Sequence, residues 1–484
     1  MKFLILAENT NYKCDCWPYL HFRGLEPYEI RKRLDQRNIS STIIEWFTHW
    51  TDEQLKSCVI SWFGQEEFPV IAISTPYAQV DIHSIKNVLK FAKEQYPNLK
   101  VIHTGSRTYN ESLKDVIDVF FLSRSMEMFD NWLDNKDLEP YKKNNKPLVL
   151  VNDFVKDYID NPILPVLNDT DCLSDKDVIG FELGIGCRFN CTFCNYELRN
   201  TRTGTLTNAK DLSNFLEQCY QKYGITNFYT ADDTINESDE KLVILAEAVE
   251  QLSFKPNISC FIRLDVLTAR PHQMDLLERI QFFSIFFGIE SFNENASKQI
   301  RKKSSIGNVY ATLEELKRRC PNTFTVGGLI VGLNGDSRES IISSTELVIK
   351  NHLLDSIQAY PLSVTRSTTV SDQGFQSDID SNPEKFNYKI KKIEGLVYRE
   401  NPSTEVYQWE GDWIDSEGAG LLCGEILNMC EGQVFDFNHW EYLRASSLGL
   451  VQNKMLPTAW RDHCQNLSEK FKKNYISEKL KQFK

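Results

Sequence analysis

Val178-Ile-Gly-Phe-Glu-Leu-Gly184-Ile-Gly-Cys187-Arg-Phe-Asn-Cys191-Thr-Phe193-Cys194 joins a strand-sized apolar run, Val178 to Ile185, to a turn that holds three cysteines. With 13 cysteines in 484 positions, random placement gives this spacing roughly one time in a hundred. Three thiolates this close can bind three irons of a cubic cluster, because iron-sulfur clusters are held by cysteine sulfur. No fourth cysteine follows locally, which leaves one iron open to a small molecule; such an open position separates catalytic from structural metal sites. Two plainer readings stand beside this one. A structural zinc site needs a fourth ligand, and the nearest histidines, His103 and His272, are distant in sequence. Inert buried thiols would leave unexplained why all three sit at a strand end.

Outward from this turn, apolar runs recur at Val178 to Ile185, Thr226 to Thr230, Ile258 to Leu264, Phe283 to Ile289, Phe324 to Val331 and Ile357 to Leu362. Helical patterns separate them at Asp211 to Tyr223, Glu240 to Leu252, His272 to Ile280, Val309 to Arg319 and Ser340 to Lys350. Six strand-helix repeats predict a partial (β/α)6 TIM-type barrel over residues 171–370, with its chemistry at the carboxyl ends of the strands. Upstream, strand candidates at Lys2 to Glu8, Ser40 to Phe47, Val70 to Thr75, Lys100 to Thr104 and Val119 to Leu122 alternate with amphipathic stretches. That alternation predicts a doubly wound, Rossmann-like α/β domain over residues 1–150, closed by the lysine-rich stretch Tyr141 to Pro147. Residues 371–484 read as a mainly helical region, with patterns near Pro383 to Arg399, Gly418 to Cys430, His439 to Leu448 and Leu467 to Phe483. Its aromatic residues, among them Tyr407, Trp409, Trp413 and Trp440, suit either a substrate cap or an ordinary helical core.

Composition narrows the function classes. Apolar residues make up 41% and charged residues 25% of the chain, as in soluble globular proteins. The 55 Lys and Arg against 67 Asp and Glu leave a net charge of -12, which argues against generic nucleic-acid or anionic-membrane binding. No apolar run approaches the length of a spanning helix, and the start, MKFLILAENT, reads as a first strand and not as a signal peptide. An odd, sparse set of cysteines without a signal points to a reducing, cytoplasmic setting.

The cysteine spacing, the aromatic Phe193 before the last cysteine and the strand that precedes them resemble the radical S-adenosylmethionine superfamily. The resemblance is to the branch with an N-terminal cobalamin-binding-type domain and covers about residues 1 to 365. Later strand ends match that branch in order: Asp232-Asp233-Thr234 after the second strand, Arg263-Leu-Asp265 after the third, Gly288-Ile-Glu290-Ser291 after the fourth, and Gly328 to Gly332 with Asp336 after the fifth.

The resemblance implies that Cys187, Cys191 and Cys194 hold a [4Fe-4S] cluster. S-adenosyl-L-methionine would chelate the open iron and be cleaved reductively to a 5′-deoxyadenosyl radical. Asp232, Asp233 and Glu290 would then accept from its ammonium or ribose, Ser291 and Asp265 would join the same cofactor site, and Phe193, Tyr196 and the backbone near Gly332 would flank the adenine. Arg263 could hold its carboxylate in a bidentate pair. Plainer roles also fit, with Asp233 capping the next helix and Arg263 forming an internal ion pair with Asp265.

A second cofactor, cobalamin, is implied by segment order and by Val101-Ile-His-Thr-Gly105-Ser, which looks like the branch's glycine turn. Two departures weigh against it: Ser123-Arg-Ser-Met replaces the acidic turn after the fifth strand, and the base-off motif keeps only His21-Phe-Arg-Gly24, with Tyr19 at its acidic position. Cys14, Cys16 and Cys58 are poorly spaced for a second cluster, and Cys423, Cys430 and Cys464 read as buried thiols. The expectation is therefore a radical enzyme that methylates an unactivated carbon through cobalamin, fed by a flavodoxin- or ferredoxin-type electron donor. Cobalamin-independent rearrangement or cyclisation is the alternative within the family. A non-catalytic iron-sulfur protein is the alternative outside it. The substrate, a small molecule or a peptide, is not named by any motif.

Overall fold

A computed structural model describes the chain except for residues 9–21, 76–84, 105–112, 123–125, 152–163, 197–198, 201–206, 303–305, 368–375, 398–403, 453 and 458. In the first unit, β1 (Lys2–Ala7), α1 (Glu26–Asp35), β2 (Ser40–Glu45), α2 (Asp52–Phe63), β3 (Pro69–Ser74), α3 (Lys86–Gln95), β4 (Lys100–Thr104), β5 (Val119–Leu122) and α4 (Glu127–Leu133) alternate as the sequence pattern predicts. The strands run parallel in the order β2-β1-β3-β4-β5. β3 and β5 are buried along their whole length, as expected of a sheet covered on both faces. Leu4, Leu6, Ile71 and Ile73 feed one core, and Phe3, Ile5, Val70 and Ala72 the other. Winding reverses between β1 and β3, and doubly wound sheets take ligands at the carboxyl ends beside such a switch point. Gly105, Ser106, Ser123 to Ser125, Cys14, Cys16, Tyr19 and His21 lie outside the described residues.

The lysine-rich stretch does not simply end the unit. β6 (Lys142–Asn145) and β7 (Leu148–Val151) form a hairpin that extends the sheet, β7 parallel to β5 and β6 antiparallel at the edge. Lysine suits such an edge because its charge discourages pairing with another chain.

The second unit contains β8 (Val178–Phe181), α5 (Ala209–Tyr223), β9 (Asn227–Thr230), α6 (Asp239–Glu250), β10 (Asn257–Arg263), α7 (Leu264–Ala269), α8 (Gln273–Ile280), β11 (Ser284–Glu290), α9 (Glu294–Gln299), α10 (Ile306–Arg319), β12 (Phe324–Val331), α11 (Arg338–Lys350) and β13 (Ser356–Pro361). Its six parallel strands stand in sequence order, the partial barrel that the repeats predict. Side chains of Asn208, Ser238 and Ser337 cap α5, α6 and α11 and so fix where the strand-end loops stop. Alternate strand residues face opposite ways. Ile179, Phe228, Cys260 and Ile285 pack in the core shared with the outer helices, whereas Val178, Tyr229, Phe324 and Val326 pack inside the barrel.

The C-terminal region departs from the mainly helical expectation in its first half. β14 (Val364–Ser367), the short α12 (Asp378–Ser381), β15 (Lys389–Val397) and β16 (Thr404–Glu410) build an antiparallel sheet in the order β14-β16-β15. In the stretch Pro383 to Arg399, read as helix, the described residues form a 3-10 turn followed by a strand. Three helices follow as expected: α13 (Ser416–Cys430), α14 (His439–Ser447) and α15 (Trp460–Lys481). α14 packs against β9, β10, β11 and β12, and its Tyr442 and Leu443 join the barrel interior. α15 crosses to the first unit and gives Tyr475 to its core. No helix among the described residues is long and apolar enough to cross a membrane.

Candidate active site

The cysteine turn leaves β8 at the carboxyl end of the barrel and is braced from below by a buried ion network. Asp232 accepts from the Leu183 N–H at 2.8 Å and pairs with Lys241 at 2.8 Å. Lys241 also pairs with Glu237 at 2.7 Å, and Glu237 accepts from the Arg188 N–H at 2.9 Å inside the cysteine turn. Burial draws the Lys241 pKa down, but the two carboxylates more than offset it, so the ammonium stays charged. Asp232 therefore differs from its expected role: its oxygens are committed to the frame and it holds the turn in place.

The three thiols have distinct neighbours. Cys187 Sγ lies 3.7 Å from the Thr234 hydroxyl, Cys194 Sγ accepts from the Tyr196 N–H at 3.4 Å, and Cys191 Sγ accepts from Arg263 Nη1 at 2.8 Å. Burial pushes the Cys194 thiol up to about 12, with Cys191, Cys187 and Asp233 adding to the rise, so these groups lie within electrostatic reach of one another. Cys187 is raised for the same first reason. Without metal both thiols stay protonated at neutral pH, and bound iron displaces those protons.

This donor set suits a cubic cluster. Three sulfurs share one loop, each with a polar neighbour of the kind that stabilises bound thiolate. Among the described residues, no three His, Cys, Asp or Glu side chains converge on a single metal ion. All other described cysteines are unbridged; Cys423, Cys430 and Cys464 are buried, as the sequence suggests.

Arg263 departs from its expected role as a carboxylate receptor. Its Nε and Nη2 grip Asp265 at 3.0 and 2.7 Å, its third face meets Cys191, and its guanidinium stacks 4.0 Å from the centroid of Phe189. The internal ion pair with Asp265 is the arrangement present. Burial favours the neutral Asp265 carboxyl, but Arg263 and the nearby Lys302 outweigh it and hold the pKa below the usual range. Lys302 in turn pairs with Glu290 at 2.7 Å and donates to the Gly288 carbonyl at 2.8 Å. A chain of alternating charge thus runs Arg263, Asp265, Lys302, Glu290 across the ends of β10 and β11. Gly288 leaves the room for it, since a Cβ there would lie 2.8 Å from the Glu290 carboxylate.

The remaining predicted residues divide into two groups. Asp233 is exposed, beside the thiols; Phe193 and Tyr196 are half-buried on the cysteine turn. Glu290 adopts a left-handed φ of 64° where the register of β11 against β12 slips, so its carboxylate is aimed by the backbone. Ser291, by contrast, donates to Asp336 at 2.6 Å and serves the next loop.

Gly332 is covered by the C-terminal sheet: Tyr388 donates to its carbonyl at 2.9 Å, and a Cβ would lie 2.2 Å from Trp409. Its φ of +107° is also foreign to side-chain-bearing residues. Gly332→Ala is expected to destabilise the protein by about 3 kcal/mol through overpacking and backbone strain, read as a lowered melting temperature in calorimetry.

Sequence reasoning missed Lys302, Lys241, Glu237 and Phe189. Only the Glu237–Lys241 pair, at helical i,i+4 spacing, left a local signal.

A model of the radical SAM superfamily matches residues 181–348. No curated protein matches the chain. Among solved structures, the radical S-adenosylmethionine methyltransferase TsrM from Kitasatospora setae, with cobalamin and a [4Fe-4S] cluster bound, is 10% identical, with full coverage of both chains and a TM-score of 0.62. TsrM with tryptophan substrate and an S-adenosylmethionine analogue covers 98% of this chain and 99% of its own, again at 10% identity and a TM-score of 0.62. The cobalamin-dependent radical enzyme OxsB with aqua-cobalamin and S-adenosylmethionine is 11% identical, with 98% of this chain and 71% of that one covered and a TM-score of 0.58. At such identities the likeness is one of fold. Residues 181–348 are a radical SAM domain, and the chain as a whole has the fold of these cobalamin-dependent radical enzymes.

Proposed function

We propose that Cys187, Cys191 and Cys194 hold a [4Fe-4S] cluster, and that the enzyme methylates an unactivated carbon with cobalamin seated at the carboxyl edge of the first sheet. When bound, the cluster supplies the electron that splits a carbon–sulfur bond of the sulfonium. The chain's own residues bind and orient. Asp233 and Glu290 receive the ammonium or ribose of S-adenosylmethionine, and Phe193 and Tyr196 flank its adenine. Arg263, locked by Asp265, donates to the Cys191 sulfur and keeps positive charge beside it. Asp232 and Lys241 keep the cysteine turn in register. An electron donor of the flavodoxin or ferredoxin type reduces the cluster.

The observation that carries this reading is the trio of thiols on one loop at the carboxyl end of the barrel, with Arg263 on Cys191. The test is anaerobic reconstitution followed by iron and sulfide analysis, spectroscopy of the reduced protein with and without S-adenosylmethionine, and absorption after adding hydroxocobalamin. About four irons and four sulfides per chain, a spectrum perturbed by S-adenosylmethionine and a retained corrinoid band are expected. A cluster that ignores S-adenosylmethionine would instead make this an electron carrier. Cluster chemistry without corrinoid binding would move the reaction to rearrangement or cyclisation.

A further inference from the structure

Arg263 is fixed at its backbone and at its guanidinium. The backbone N–H donates to Asn236 Oδ1 at 2.9 Å, and the carbonyl accepts from Asn236 Nδ2 at 3.0 Å. Asn236 is fully buried and also donates to Gln273, so the end of β10 is held against the loop that follows β9. At the other end of the side chain, Asp265 takes Nε and Nη2, Phe189 lies against one face, and Nη1 donates to the Cys191 sulfur at 2.8 Å. Phe189 stands between Cys187 and Cys191 in the sequence, so the cation is packed into the cysteine turn itself.

Cys191 differs from the other two thiols in its surroundings. It is buried, whereas Cys187 and Cys194 are half-buried. Its partner is a charged donor, where theirs are the neutral Thr234 hydroxyl and Tyr196 N–H. A cation against sulfur counts for more in such a dry place than at the surface, because little water screens it. Arginine keeps its charge in proteins, so the contact does not depend on a proton. Arg263, Asp265, Lys302 and Glu290 together sum to zero charge, and their order therefore decides what the sulfur feels. The cation touches it, and the first carboxylate stands on the other donors of the same guanidinium.

We propose that Arg263 raises the reduction potential of the bound cluster by stabilising negative charge on the Cys191 sulfur, and that Asp265 sets how strongly it does so. One electron from the external donor takes the cluster from its oxidised to its reduced state; no bond breaks and no proton moves, and the thiolate sulfurs gain electron density. Net charge, hydrogen bonds to the sulfurs and solvent exposure set such potentials, and a charge-assisted bond to a ligand sulfur favours the more negative, reduced state. Arg263 and Asp265 thus act on electron entry through Cys191 and not as receptors for the sulfonium nucleotide. The inference deepens the cluster reading above and rests on it.

The test is a potentiometric titration of the reconstituted full chain without S-adenosylmethionine. Titanium(III) citrate is the reductant, and the paramagnetic resonance signal of the reduced cluster is the readout. Arg263→Gln is expected to lower the midpoint by about 59 mV or more, which is a tenfold weaker equilibrium for one electron. Arg263→Lys keeps the charge and loses the fork, so its midpoint should fall between those of the wild type and Arg263→Gln. Asp265→Asn removes the compensating charge and keeps an acceptor for the guanidinium, and should move the midpoint upward. A merely structural arginine predicts the opposite sign for Arg263→Gln: its loss would let water reach the cluster, and water favours the more negative, reduced state. A midpoint unchanged or raised in Arg263→Gln, or unchanged or lowered in Asp265→Asn, overturns the proposal. Where Arg263→Gln holds no cluster, the Arg263→Lys and Asp265→Asn midpoints decide by the same signs. A wild-type chain that takes up no cluster overturns the cluster reading and this inference with it, whereas a wild-type cluster whose midpoint ignores the substitutions overturns the inference alone.

Discussion

Cys191→Ala is expected to leave the protein folded and to abolish S-adenosylmethionine cleavage, with at least a thousandfold loss of 5′-deoxyadenosine formation in the reconstituted, reduced enzyme. Two effects combine in that loss. The substitution removes one of three sulfur ligands, and a cluster held by two thiolates has lost a ligand that the protein cannot replace from nearby. It also removes the acceptor of the 2.8 Å bond from Arg263, whose remaining donors stay on Asp265. The fold tolerates the change because Cys191 belongs to a loop and not to a strand or helix. Iron analysis and circular dichroism on the same sample separate the outcomes: iron well below that of the wild type with unchanged helix content is expected. Full cubic-cluster content and undiminished cleavage in this variant would show that Cys191 is not a ligand.

The part of this site readable from sequence is the part whose chemistry is local. Three thiols within eight residues need no fold to be neighbours, and six apolar runs at regular spacing need only the strand period to predict a barrel. Lys302 was invisible because its partners, Glu290 and Asp265, lie on two different strand ends that only the sheet brings together. Arg263 and Asp265 are legible as residues but not in their role, since two positions apart they can face a ligand or each other, and here the guanidinium turns back.

The C-terminal region shows a different limit. Ile390, Ile393 and Val397 recur at i, i+3 and i+7, which is the helical period, yet antiparallel pairing with Thr404–Glu410 makes the segment a strand. α14 was legible as a helix, but its apolar face reads alike whether it covers the outside of a barrel or plugs the inside. Only the pairing of its first carbonyl with Ser259 and Ser284 decides that.

Arg23→Leu should be the most destabilising single change outside the cysteine turn, by about 3–5 kcal/mol, because it leaves buried carboxylates without their cation. Arg23 is 1% exposed and joins every unit of the chain. Its Nε donates to Asp177 at 2.6 Å, Nη1 donates to the Asp171 carbonyl at 3.0 Å, and Glu45 lies 3.9 Å away. Its guanidinium lies 4.9 and 5.0 Å from the ring centroids of Trp46 and Tyr475, which also meet each other edge to face, so the first unit and α15 meet on the same cation. The backbone at Arg23 bonds to Val178 at the start of the barrel. Lysine would not restore this, since it offers a point charge where a planar fork is used.

The dependence on pH has a definite sign. Burial pushes Glu45 up to about 7, although Arg23 and the Tyr28 hydroxyl pull it down, and one of its oxygens has no partner. A carboxyl whose folded pKa lies above its unfolded value binds its proton more tightly when folded, so stability falls as pH rises from about 4.5 to 7. Without Arg23 that folded pKa climbs further, and the deficit of Arg23→Leu should therefore be largest above pH 7 and shrink towards pH 5. Urea midpoints across this range test the claim, and adding Glu45→Gln to Arg23→Leu should recover part of the loss at pH 8 while doing little at pH 5, where Glu45 is already protonated. A deficit that is the same at both pH values would mean that Arg23 acts through packing against Trp46 and Tyr475 and not through its charge.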